Sequence, residues 1–168
     1  MSLHADLLEQ AEELARHDAR RPKQANLRRA ISSAYYALFH LLASEAAALY
    51  AGEAGLAARI NRTLNHAEMK WASTMIANGK LPKAIHPPGG YVTPGDLMGV
   101  AKAFIALQES RHLADYDLNR KYRRQEALEF VQVARRAFDA WERVRKTDDA
   151  RVYLACFQLW KRWDENPR

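Results

Sequence analysis

Nowhere in its 168 residues does the chain alternate apolar and polar side chains as a half-buried strand must. Apolar residues recur instead three and four apart, the spacing that puts them on one side of a helix. This periodicity predicts an all-α protein. Six helices are expected: about Leu3–Asp18, Pro22–Tyr50, Leu56–Ala77, Asp96–Asp117, Arg123–Lys146 and Asp148–Trp163, with a frayed tail. Ser2 stands where a cap belongs, and Pro22 suits a first turn. Gly52 and Gly55 punctuate the end of the second helix, and Asn78-Gly79 the end of the third. One long irregular segment runs from Lys80 to Gly95, after which Thr93-Pro94-Gly95-Asp96 reads as cap and start of the fourth helix. Short links elsewhere predict an antiparallel up-and-down bundle of about five to six helices. It forms one domain over residues 1–168, with a core spanning about 3–146 and a C-terminal apolar helix at about 148–163.

Composition narrows the class. Apolar residues make up 48% and charged residues 27%, the balance of a globular domain. The single cysteine excludes a disulfide framework and a cysteine-based zinc site. No run approaches the roughly 18 apolar residues of a membrane span. Asp6 and Glu9 stand where a secretory leader needs basic then apolar residues, so a reducing, cytoplasmic setting is expected, without a membrane partner.

Azimuth sorts each helix. The second places Leu27, Ala30, Ile31, Ala34, Leu38 and Leu41 on one side, and Arg29, Ser33, Tyr36 and His40 opposite. That polar stripe reads as a binding or subunit-contact face, or as a solvated one. The first helix turns Leu3, Leu7, Ala11 and Leu14 inward. The third buries Ala57, Ile60, Leu64, Trp71 and Met75, and its outer side carries Arg59, Arg62, His66 and Lys70, a stripe that reads as a phosphate contact or as a solvated face. On the fourth, Leu97, Val100, Ala101, Phe104 and Gln108 face inward, and Arg111 and Asp115 continue the same azimuth. A charged pair there needs partners. It is either a polar network fixing helix register or an anion or catalytic pocket. The fifth helix turns Ala127, Phe130, Val131, Ala134, Phe138 and Trp141 inward. The sixth centres on Val152, Cys156, Leu159 and Trp163, with Tyr153, Leu154, Phe157 and Trp160 widening its apolar arc.

Of the net charge of +6, residues 119–168 supply five, with thirteen basic against eight acidic residues. The run Asn119-Arg120-Lys121-Tyr122-Arg123-Arg124 opens that surplus. Its cations could hold phosphates and its tyrosine could stack on a base, or it could be a solvated helix start. Arg123 and Arg124 are accordingly candidate binding residues, with Arg29, Ser33, Tyr36 and His66. No phosphate-cradling glycine loop and no HExxH occur, and His66-Ala67-Glu68 lacks the paired cysteines of a zinc deaminase. No metal site and no cofactor are expected.

The segment Arg28-Arg29-Ala30-Ile31-Ser32-Ser33-Ala34-Tyr35-Tyr36-Ala37-Leu38-Phe39-His40 resembles the first-half signature of HEPN (higher eukaryotes and prokaryotes nucleotide-binding) domains. The acidic helix around Leu7–Leu14 precedes it as in that family, and Arg111-His112-Leu113-Ala114-Asp115-Tyr116-Asp117 matches the later R-x-x-x-D type segment. Residues 5 to 150 or so look like one such domain. Leu64-Asn65-His66 and Leu159-Trp160-Lys161-Arg162-Trp163 also resemble small bacterial proteins of this type. The resemblance implies a bundle of four or five helices, commonly a homodimer. Many members are metal-independent ribonucleases, often toxins held by an antitoxin or acting in phage defence. Their R-x4–6-H motif forms a site across the dimer, the arginine holding the scissile phosphate and the histidine working as acid or base. Here the positions that such a histidine would take after Arg111 hold Tyr116, Asp117 and Leu118. Three functions follow as expectations. The first is a non-catalytic homodimeric module for RNA, a nucleotide or a protein partner. The second is a ribonuclease toxin with a variant site of Arg111, Asp115, Tyr116 and His40, or with His66 in the place of His40. The third is a structural or assembly protein.

Overall fold

The computed structural model describes residues 2–18, 20–50 and 54–165. Among them are seven α-helices and no strand, so the fold is an all-α bundle. The helices are α1 (Leu3–Arg16), α2 (Gln24–Tyr50), α3 (Ala54–Asn61), α4 (His66–Ala77), α5 (Gly95–Tyr116), α6 (Arg124–Val144) and α7 (Asp148–Glu165), with one 3₁₀ turn at Lys83–Ile85. Gly52 and the end of the expected frayed tail lie outside the described residues. Two compact units are formed, Met1–Leu41 with Ala103–Asp139 and Leu42–Lys102 with Ala140–Arg168.

In the first unit, the expected inner face of α2 is buried throughout, with Leu27, Ala30, Ile31, Ala34 and Leu38 at 0% exposure. Burial does not stop at that face. Ser32, Ser33, Tyr35, Ala37 and Phe39 are buried too, and Tyr36 and His40 are half-buried. The polar stripe is therefore not an open surface, because α1 packs over part of it: the Ser33 hydroxyl donates to Gln10 Oε1 at 3.1 Å. Helix α1 itself is rotated from expectation. It buries Leu8, Ala11 and Ala15, while Leu3 is exposed and Leu7 and Leu14 are half-buried. Alanines at the line of contact let the helices approach closely, and the leucines flank it. Ala15 meets Leu27, Ala30, Ile31, Ala114, Tyr122 and Ala127 in one cluster, with Leu14, Leu128 and Phe130 packed around it. On α6 the inner line is Ala127, Val131, Ala134 and Ala137, and Phe130 and Phe138 lie at its edge. Ser2 occupies the cap position of α1, but its carbonyl rather than its hydroxyl takes the first turn's N–H groups, from Ala5 and Asp6.

In the second unit, the single helix expected over Leu56–Ala77 is two. The chain turns after Asn61, where Thr63 Oγ1 donates to the Ile60 carbonyl at 2.7 Å, and Asn65 then caps α4 by accepting from Glu68 N–H at 2.9 Å. The break resets the azimuth. Met69, Ala72, Ser73 and Ile76 become the buried line, Ala57, Ile60 and Met75 are half-buried, and Trp71 is 52% exposed. Helix α4 ends as expected at Asn78-Gly79. Gly79 has φ +68°, with Gly79 N–H on Ile76 O and Lys80 N–H on Met75 O, the paired bonds of a Schellman end. Thr93, expected to cap α5, instead donates its buried hydroxyl to the Ile76 carbonyl at 2.5 Å and ties the irregular segment to α4. Helix α7 packs on α4 and on the Lys83–Ile85 turn and buries Tyr153, Leu154, Cys156, Phe157 and Trp160, so of the expected centre only Cys156 is buried and the rest are residues expected to widen the arc. Val152, Leu159 and Trp163 are half-buried. Tyr153 Oη and Ser73 Oγ are 2.8 Å apart, and burial raises the Tyr153 phenol above its ordinary range.

One side chain closes the first unit. Arg28 donates from Nη1 to the Ala114 carbonyl at 2.6 Å and from Nη2 to the carbonyls of Asp117 at 2.8 Å and Arg120 at 2.5 Å. It thereby satisfies carbonyls that the end of α5 leaves open. Its guanidinium also lies 5.6 Å from the centre of the buried Tyr122 ring. Replacing Arg28 with alanine strands all three carbonyls and is expected to cost about 3 kcal/mol in urea unfolding. Arg29→Ala, one residue on but exposed, is expected to cost about 0.5 kcal/mol at most.

Candidate functional site

Helices α2 and α5 meet in two polar rungs. Ser32 and Tyr36 lie one turn apart on α2, and Arg111 and Asp115 one turn apart on α5. The Ser32 hydroxyl donates to Asp115 Oδ1 at 2.6 Å, and Arg111 Nη2 donates to Tyr36 Oη at 2.7 Å. Because the earlier residue of one pair meets the later residue of the other, the two helices run antiparallel here. Arg111 Nε lies 2.8 Å from Asp115 Oδ2, so the pair expected on the core face bonds internally as well as across the unit. Its side chains are 21% and 27% exposed, at the edge of the core rather than in it. The buried line of α5 has by then drifted from Phe104 through Leu107 to Ala114, leaving Gln108 half-buried and Arg111 and Asp115 on the flank.

Aromatic rings frame the guanidinium. It lies 5.3 Å from the centre of the Tyr36 ring and 5.9 Å from that of Tyr116. Burial works against the Arg111 charge, but Tyr36 and Asp115 outweigh it and raise its pKa. Tyr35 packs behind, 5.3 Å from Tyr36 and 5.6 Å from Phe104, with its phenol raised by burial. Outside, Tyr116 is 65% exposed and stands 5.0 Å from the His112 ring. His40 is one turn beyond Tyr36, the two rings 6.3 Å apart, with Phe39 edge-on to the imidazole at 5.3 Å.

Of the expected site residues, Tyr36, Arg111, Asp115 and Tyr116 thus come together, with His40 adjoining. Ser33 is spent on α1. Arg29 is exposed on α2, and His66 opens α4 in the second unit. The break before α4 also divides Arg59 and Arg62 from His66 and Lys70, so these four do not share one helical stripe. Ser32 was missed by azimuth alone. Its signal was the four-residue spacing to Tyr36, which matches that of Arg111 and Asp115.

A second feature lies at an edge of the same unit. Asp18 takes Lys23 N–H at 3.0 Å and Asn26 Nδ2 at 2.8 Å on its carboxylate, bonds that lower its pKa. Its carbonyl accepts from Arg124 Nη2. Gln24 bonds both the carbonyl and the N–H of Tyr122, at 2.8 and 2.9 Å. These bonds hold the turn after α1, which carries the exposed Arg20, Arg21 and Lys23, to the segment entering α6, which carries the exposed Lys121 and Arg123. Arg120 lies over the Tyr122 ring at 4.8 Å and pairs with Glu126 at 3.7 Å. The Tyr122 ring, read as a stacking surface, is 3% exposed and belongs to the core cluster.

Compared with models of protein families, with curated proteins and with solved structures, the chain matches none. The rungs offer a guanidinium, a phenol and a carboxylate near solvent, a set able to hold an anion or relay a proton. The edge offers five exposed cations, with Lys23 near the Asp18 carboxylate. Among the described residues no three His, Cys, Asp or Glu side chains gather as metal ligands, and no helix is long and apolar enough to cross a membrane.

His40 links folding stability to pH. Burial, with a smaller contribution from His4, lowers its pKa from the ordinary 6.5. The unfolded chain then takes up a proton before the folded chain does, so stability falls as pH drops through about 6.5 and levels off below the folded pKa. His40→Gln is expected to flatten this fall, measured as the urea midpoint from pH 7.5 to 5.

Proposed function

We propose that this chain is a HEPN-like, non-catalytic module that acts as a homodimer and binds RNA along its basic edge. The observation that carries the reading is the pair of Gln24–Tyr122 bonds, with the Arg124–Asp18 bond, which ties the turn carrying Arg20, Arg21 and Lys23 to the segment carrying Lys121 and Arg123. Phosphates are held by such clustered, hydrated cations, with little dependence on sequence. Arg111 supports the non-catalytic part. Its charge is matched by Asp115 at 2.8 Å, and an incoming phosphate would have to displace that carboxylate.

The exposed Tyr116 and His112 beside Arg111 favour a second reading, a metal-independent ribonuclease with a variant site, of the kind an antitoxin restrains. One set of assays separates the two. Total RNA incubated in chelator is expected to stay intact with both the native chain and Arg111→Ala. Cleavage by the native chain that vanishes in the variant would establish the ribonuclease. Binding to a labelled RNA is expected to weaken with salt. Lys121→Glu with Arg123→Glu is expected to lower affinity about tenfold or more and to flatten the salt dependence by a slope of roughly 1.4. Salt-independent binding, or none, would refute the module. Sedimentation should give twice the chain mass.

A further inference from the structure

The second unit holds a cavity of about 230 Å³ between α4 and α7 that neither the rungs nor the basic edge explains. Its lining is aromatic: Trp71 from α4, and Phe157 and Trp160 from α7 beside the Cys156 thiol. Phe157 and Trp160 are buried, but Trp71 is 52% exposed and forms one wall while gaining little from burial in the fold. Hydrogen bonds within the unit fasten the walls. Ser73 and Tyr153 join α4 to α7, and Gln158 Nε2 donates to Thr63 Oγ1 at 2.7 Å. The Glu68 carboxylate and the Lys161 ammonium also line the cavity, 3.4 Å apart and 39% and 73% exposed.

Size and chemistry select the occupant. The volume exceeds the ~150 Å³ of an apolar cavity that takes benzene. It falls short of the roughly 300–1,000 Å³ of drug-sized sites. One or two fused rings fit it. A ring against three aromatic side chains gains area and favourable stacking. At the rim, one anion and one cation stand side by side, each still open to water. A ligand with a flat ring and two opposite charges on one carbon complements all of this: its ammonium meets Glu68, its carboxylate meets Lys161, and its ring enters between the tryptophans. We propose that this cavity binds a free aromatic α-amino acid.

Three related probes test each part by titration calorimetry on the full chain. They are L-phenylalanine, phenethylamine, which lacks the carboxylate, and 3-phenylpropionate, which lacks the ammonium. L-phenylalanine is expected to bind about fivefold tighter than either, the worth of one exposed charge pair. Lys161→Gln should bring L-phenylalanine down to the level of phenethylamine, and Glu68→Gln down to that of 3-phenylpropionate. Trp71→Ala, at an exposed position and with its helix content checked by circular dichroism, should weaken all three about tenfold. No binding of L-phenylalanine overturns the proposal. Equal binding of the three probes, indifferent to Glu68 and Lys161, also overturns it and leaves only an apolar cleft. RNA binding plays no part in these measurements.

Discussion

From Ala30 to Ala43, helix α2 has almost no face left for water. Only Tyr36 and His40 in that stretch are even half open. A helix in this position cannot sort its residues into a dry side and a wet side. Every polar group it carries must find a partner inside the protein, or its desolvation goes uncompensated. The rest of the first unit follows from that demand. Ser33 takes Gln10 and so positions α1. Ser32 and Tyr36 take Asp115 and Arg111 and so set α5 antiparallel to α2. Arg28, at the margin of the dry stretch, takes three carbonyls and so fixes where α5 ends and the chain turns toward α6. The apolar residues drive these helices together without direction, and the polar ones decide register.

What the sequence made legible follows from that division of labour. The inner face of α2 was readable because Leu27, Ala30, Ile31, Ala34, Leu38 and Leu41 form a long, regular series, and a long series averages out local exceptions. The inner face of α1 was misread by one position. Periodicity weights leucine over alanine, whereas close packing puts Ala11 and Ala15 at the contact. The break between α3 and α4 carries no glycine or proline. Its signal is subtler: Asn65 followed three residues later by Glu68, the opening of a capped helix. A helix running unbroken through Asn65 would carry every later azimuth out of phase and turn Trp71, which is exposed, toward the core.

The candidate site was half legible for a related reason. Arg111 and Asp115 stood out because charge on an apolar azimuth is anomalous within one helix. Arg28 did not, since its acceptors are backbone carbonyls 86 to 92 residues away, and a carbonyl has no sequence signature. The basic edge was read in its C-terminal half alone. Arg20, Arg21 and Lys23 lie about a hundred residues earlier, and the Gln24–Tyr122 and Arg124–Asp18 bonds tie their turn to that half. In the same place the Tyr122 ring lies in the core.

The two features of the first unit differ in how their charge is held, and that difference bears on function. In the rungs, Arg111 faces a carboxylate at 2.8 Å and a phenol at 2.7 Å, so to an approaching anion the group has little net charge. Removing Asp115 would leave a half-buried guanidinium uncompensated, a cost in stability before any gain in binding. At the edge, Arg20, Arg21, Lys23, Lys121 and Arg123 are exposed, and binding a phosphate there releases bound counterions without breaking a bond that the fold depends on. A polyanion therefore has most to gain at the edge, and the rungs are best suited to holding α2 and α5 in register.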